Sequence, residues 1–92
     1  MRDMHRQAVR MVCAHAQSEA LRRLEAQLTA EEADVVRRAR NARQSPPKNA
    51  DPAEYHRATA LEALIGYLYL TGRRERMEAL LAAALATSEG AT

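Results

Sequence analysis

Ala58-Thr-Ala-Leu-Glu-Ala-Leu-Ile-Gly-Tyr-Leu-Tyr-Leu70 is a run of thirteen residues with one charge, Glu62. Leu61, Leu64, Ile65 and Leu68 recur at helical spacing, which predicts a helix with these four on its core face. The flanks mark its ends. Asp51-Pro52-Ala-Glu54 offers a capping acid, a proline at the first helical position and an acid in the first turn. Thr71-Gly72 closes the helix at about Leu70, because glycine adopts the left-handed conformation found after helices.

Outward from this helix the same signals repeat. Gln44-Ser-Pro-Pro-Lys-Asn-Ala50 is a loop, since Pro46 and Pro47 break a helix and restrict their predecessors. Before it, Thr29-Ala-Glu-Glu32 is a capping box. A helix starting there buries Val35, Val36 and Ala39 and ends near Ala42. Upstream, Asp3 caps a first helix running to about Leu28, with Val9, Val12, Ala16, Leu21, Leu24 and Leu28 on its apolar stripe. After Gly72, a last helix from about Arg73 to Ala86 buries Met77, Leu80, Leu81, Ala84 and Leu85, and the final six residues fray. No strand, repeat or second domain is predicted. The fold class is all-α, a small bundle of about four helices in one domain.

Composition agrees. The chain has 92 residues, 47% hydrophobic and 28% charged, which is globular rather than disordered. It lacks Phe and Trp, so Leu, Val, Ile, Met and many Ala must form the core, a set suited to closely packed helices. A chain this short has a thin stability margin that a partner subunit would widen. Cys13 is the single cysteine, which excludes an internal disulfide. It falls on an apolar helical stretch and reads as core. No signal peptide or long apolar run is present, so a cytoplasmic protein with no membrane partner is expected. His5, His15 and His56 follow no zinc spacing and are expected at surface or capping positions.

The net charge of +2 hides a local asymmetry. Glu25, Glu31, Glu32 and Asp34 form an acidic stretch with no basic residue. Arg37, Arg38, Arg40, Arg43 and Lys48 follow with no acid among them. Such a segment can hold phosphates, although a solvated helix face and loop would look the same. Glu62 is the sharper anomaly. It shares a stripe with Thr59, Gly66 and Tyr69, within a segment that otherwise looks buried. A mid-helix glycine costs about 1 kcal/mol relative to alanine. It is better tolerated where another backbone or a ligand must come close. Either Glu62 reaches solvent or an arginine, or it holds a metal ion. Tyr67 and Tyr69 lie in the apolar run and are expected in the core.

Ala60-Leu-Glu62-Ala-Leu-Ile-Gly66 resembles the second conserved segment of the ribonuclease III catalytic domain. Arg38-Ala-Arg40-Asn41-Ala42, followed by Pro47-Lys48-Asn49, is similar to the basic helix end and loop of one branch, Mini-ribonuclease III. Val12-Cys-Ala14 with Gln17 resembles the preceding helix of that branch, and Thr59 also fits it. The resemblance spans residues 3–86. It implies a metal-dependent endoribonuclease for double-stranded RNA, acting in maturation of large-subunit (23S) ribosomal RNA as a homodimer with one cleavage site per subunit. It makes Glu62 the catalytic and metal-binding residue, with Mg²⁺ as the cofactor. Mg²⁺ takes oxygen ligands and keeps several waters, so one or two carboxylates plus a substrate phosphate suffice. Bound there, it would stabilise charge on the phosphate and generate a hydroxide nucleophile. Arg37, Arg38, Arg40, Asn41, Arg43, Lys48 and Asn49 are the expected RNA-binding residues. Double-stranded RNA is read through phosphates and 2′-hydroxyls, which needs such side chains rather than stacking aromatics.

One departure matters. The family's fold opens with a helix bearing a Gly-Asp-Ala segment whose Asp is the other metal ligand, and residues 1–92 contain no such segment. The chain therefore reads as a partial domain of this type, impaired in cleavage. By itself it is expected to be marginally stable or to self-associate. A non-catalytic dimerisation or RNA-binding remnant would show the same departure, and so would a start codon set too far downstream. A DNA-binding helix-turn-helix is disfavoured, because the Pro46-Pro47 loop is longer than the turn before a recognition helix.

Overall fold

The computed structural model describes residues 14–42 and 45–90, with side chains through Ala84. The described residues are all helical apart from short connections. We label the helices α1 (the described part is 14–24), α2 (Ala30–Asn41), α3 (Pro52–Leu70) and α4 (Arg74–Gly90). A 3-10 turn at Glu25–Gln27 ends α1 earlier than its apolar stripe suggests, and Leu28 is extended. Helix α4 extends beyond Ala86 to Gly90, where the sequence predicts fraying. The expected Asp3 cap, Val9, Val12, Cys13 and His5 lie outside the described residues, as does the side chain of Leu85.

The helix ends form as their caps dictate. Thr29 Oγ1 accepts from the Glu32 amide at 3.2 Å, and Glu32 Oε1 accepts from the Thr29 amide at 2.9 Å. This reciprocal box satisfies two donors that a helix start leaves open. Asp51 Oδ1 accepts from the Ala53 amide at 2.9 Å, with Pro52 opening α3. Gly72 takes φ +76° after α3, a conformation that a β-carbon disfavours.

Helix α3 lies at the centre. Ala58, Ala60, Leu61, Leu64 and Leu68 are buried in it. The last four of these pack with Leu21 and Leu24 of α1, Val36 of α2, and Leu80 and Ala84 of α4. Each fully buried leucine contributes on the order of 2 kcal/mol. Ile65, Ala39 and Met77 pack against this core at its margin. Ala16, expected in the core, is exposed at the start of α1.

Polar bonds set the register. Tyr67 near the end of α3 bonds Glu31 at the start of α2, so these two helices are antiparallel. His15 meets Glu54, and Arg57 Nε donates to the fully buried Ser18 hydroxyl at 2.6 Å. Both bonds join α1 to the first turns of α3, so those two helices run the same way. Arg23 Nε donates to the Ala84 carbonyl at 3.2 Å and closes α4 onto α1.

Candidate functional site

Glu62 projects from the side of α3 that no other described element covers. It is exposed, and no hydrogen bond or ion pair engages its carboxylate among the described residues. The sequence leaves open whether it reaches solvent, pairs with an arginine or holds a metal, within a segment that otherwise looks buried. Tyr69 is 57% exposed and Leu70 83%, so Tyr69 is not in the core. A β-carbon placed on Gly66 would meet nothing within 4 Å among the described residues. Nothing among the described residues therefore requires glycine there.

Tyr67, one position from Gly66, is engaged differently. Its hydroxyl donates to Glu31 Oε2 at 2.5 Å, and the Arg73 guanidinium lies 5.7 Å from its ring centre. Arg73 also donates to both oxygens of Glu31, at 2.7 and 3.3 Å. The Arg73 guanidinium, helped by the Tyr67 hydroxyl, holds the Glu31 carboxyl below its ordinary range.

Glu32 is the buried acid of the molecule's described part, 2% exposed. Arg76 donates Nε to Oε2 and Nη2 to Oε1, each at 2.9 Å, and Nη2 also reaches the Gln27 carbonyl at 2.8 Å. The arginine outweighs the burial penalty and, with the Thr29 bonds, brings the Glu32 carboxyl down to about 2. The capping box is visible in sequence, but the partner 44 residues away is not.

The expected RNA-binding residues gather at the other end of the α2–α3 pair. Arg37, Arg38, Arg40 and Asn41 occupy the last turns of α2, all exposed. Arginines near a helix carboxyl end also complement its dipole. Lys48 and Asn49 are exposed in a turn closed by the Ala50 amide on the Pro47 carbonyl at 3.0 Å. Arg43 lies outside the described residues. Arg37 and Arg38 both pair with Asp34, at 2.5 and 3.0 Å. Arg40 and Lys48 have no ion-pair partner among the described residues. An open cleft of about 400 Å³ borders this patch, with apolar Leu28, Ala33 and Val36 beside Arg37, Arg40, Asn41 and Glu25.

Among the described residues, no hydrogen bond or ion pair joins Glu62 to the basic patch. It sits ten positions after Pro52, or roughly 15 Å along the helix axis. The two candidate features share one hairpin without forming one pocket. For a metal, the fit is partial: Glu62 is a free hard oxygen donor, and no group of three or more His, Cys, Asp or Glu converges among the described residues. His15 pairs with Glu54, which raises the imidazole's affinity for a proton, and His56 packs edge-on against Tyr55 at 6.0 Å. Neither joins a ligand set among the described residues. No described helix is long and apolar enough to cross a membrane.

Comparison with known proteins gives a consistent result. The ribonuclease III domain family model matches residues 1–73. Mini-ribonuclease 3 of Symbiobacterium thermophilum is 54% identical over 83 residues, covering 89% of this chain and 64% of the relative. The Brevibacillus brevis protein of the same name is 49% identical over 89 residues, covering 96% of this chain and 66% of the relative. That of Staphylococcus aureus is 42% identical over 81 residues, with 85% and 60% covered. The chain thus spans less than two thirds of the length of these curated relatives.

Proposed function

The chain belongs to the ribonuclease III domain family, and from that premise we propose that it serves a divalent-metal-dependent endoribonuclease that cleaves double-stranded RNA. The observation that carries the proposal is Glu62. It is an exposed carboxylate, unpaired among the described residues, in an otherwise uncharged stretch of helix, at the position where the family resemblance puts a metal ligand.

Glu62 would supply one oxygen to Mg²⁺; the remaining ligands would be waters, a substrate phosphate and a second acid from outside the described residues. When bound, the metal supplies charge neutralisation at the phosphate and an activated water. The chain's own side chains would do the rest. Arg40 and Lys48 hold RNA phosphates from the exposed end of α2 and the adjoining turn. Asn41 and Asn49 can donate to phosphates or exchange bonds with 2′-hydroxyls. The rigid pairing of α2 with α3 fixes the spacing between these groups and Glu62.

The face of α3 that no described element covers suits a second copy of the chain. Gly66 leaves room for a close approach, and Tyr69 and Leu70 offer apolar area. A homodimer with one site per subunit follows as part of the proposal. Maturation of 23S ribosomal RNA in the cytoplasm is the proposed setting, and Mg²⁺ the proposed ion.

The test is a Mg²⁺-dependent cleavage assay on double-stranded RNA. It compares the 92-residue chain, its Glu62→Gln variant and a chain extended upstream. Cleavage by the extended chain that Glu62→Gln abolishes, with RNA binding retained, supports the proposal. RNA binding with no cleavage by either length would favour a non-catalytic binding module.

A further inference from the structure

Among the described residues, Asp34 is the one acid that ion pairs join to the basic end of α2, and it clasps two of that patch's cations at once. Its carboxylate meets Arg37 Nη2 at 2.5 Å and Arg38 Nε at 3.0 Å. The spacings of three and four residues place all three side chains on one helix surface. We propose that Asp34 stands in for an RNA phosphate in the free protein, holding Arg37 and Arg38 together and masking their charge until RNA displaces it. The inference rests on the RNA-binding reading above.

The chemistry favours such an exchange. Phosphate and carboxylate offer arginine the same pair of acceptor oxygens. The cluster stays wet: the side chains of Asp34, Arg37 and Arg38 are 42%, 63% and 76% exposed. Surface pairs of this kind are weak and screened by salt, so a phosphate can replace the carboxylate without unfolding anything. The contrast with Glu32 is instructive, because its arginine is locked to a buried acid and cannot be recruited. Locally, three charges reduce to a net single positive one. Arg40 and Lys48, unpaired among the described residues, would make first contact, and the Arg37–Arg38 fork would engage after Asp34 lets go.

The exchange has a measurable signature. Binding of an RNA duplex of about 20 base pairs is followed against salt concentration, in EDTA so that no cleavage intervenes. Asp34→Asn should bind about threefold tighter or better near 0.15 M salt, with a salt slope steeper by roughly one. Glu78→Gln removes the same charge from an exposed position on α4 and should change neither value. In an Arg37→Gln/Arg38→Gln background, the gain from Asp34→Asn should vanish, as expected for coupled neighbours. Unfolding midpoints measured alongside show whether each variant is folded. The inference fails if Asp34→Asn binds like the parent, if Glu78→Gln gains as much, or if the gain survives loss of both arginines. If the parent chain binds and responds to Arg40→Gln/Lys48→Gln while Asp34→Asn does nothing, only this inference falls. If no variant binds the duplex, the RNA reading falls with it.

Discussion

The two ends of the α2–α3 hairpin handle charge in opposite ways. At the α2 amino end, each of the two helix-start acids has an arginine. Glu32 is gripped by Arg76, and Glu31 by Arg73 with Tyr67. Hydrogen bonds from three elements converge there, and one of the acids is fully enclosed. At the other end, Arg40 and Lys48 have no ion pair among the described residues, and Arg37 and Arg38 share one exposed acid. Between the two lies Glu62, an acid with no cation among the described residues. Charges satisfied inside the chain hold the bundle together. Charges left over at adjacent positions are available to something outside it. The first end therefore governs stability, and the second governs binding.

Removing Arg76 should have the largest effect. Arg76→Ala strands the buried Glu32 carboxylate, which costs on the order of 3 kcal/mol, read as a lower denaturant midpoint. Glu32→Gln should lose less, because an amide still fills the box without a buried charge. If Arg76→Ala were neutral, the division between the two ends would be wrong.

Acid should then act through the same pair. The Glu32 carboxyl is lowered from 4.5 to about 2 on folding. A depressed carboxylate contributes stability that is fully present above pH 4.5 and is lost as pH falls toward 2. Unfolding midpoints between those values should drop steeply in the parent and less steeply in Glu32→Gln.

At the opposite end, Arg40→Gln/Lys48→Gln should leave stability alone. It should flatten the salt dependence of RNA binding by roughly one unit per charge removed. An unchanged slope would take these residues off the RNA surface. The smallest effect belongs to Tyr67→Phe. It deletes an exposed bond to Glu31 but keeps the ring beneath Arg73, so the thermal midpoint should stay where it is. A clear loss would mean that this corner is less wet than its exposure indicates.

Much of the fold is legible in the order of the amino acids. The Thr29–Glu32 box, the Asp51–Pro52 start and the Gly72 stop each act within a few residues, so local sequence carries them. Leu61, Leu64 and Leu68 are readable as core for the same reason. The orientation of the rest of α3 is not. A helix that is apolar nearly all round does not encode which side its own chain covers. Local pattern therefore puts Tyr69 inside and sets Glu62 in a segment that looks buried, whereas the fold leaves both of these side chains exposed. The arginine partners of Glu31 and Glu32 depend on α4 folding back, 42 and 44 residues away. Glu62 stands out as a chemical exception in its helix, but its freedom from a partner among the described residues is a property of the fold.

The most direct measurement follows amide signals while Mn²⁺ is added to the chain in complex with an RNA duplex. Paramagnetic broadening should centre on residues 59–66, around Glu62, and should disappear from that segment in Glu62→Gln while the duplex stays bound. Broadening that spares 59–66, or that persists there unchanged in Glu62→Gln, would contradict the assignment of this carboxylate as a metal ligand.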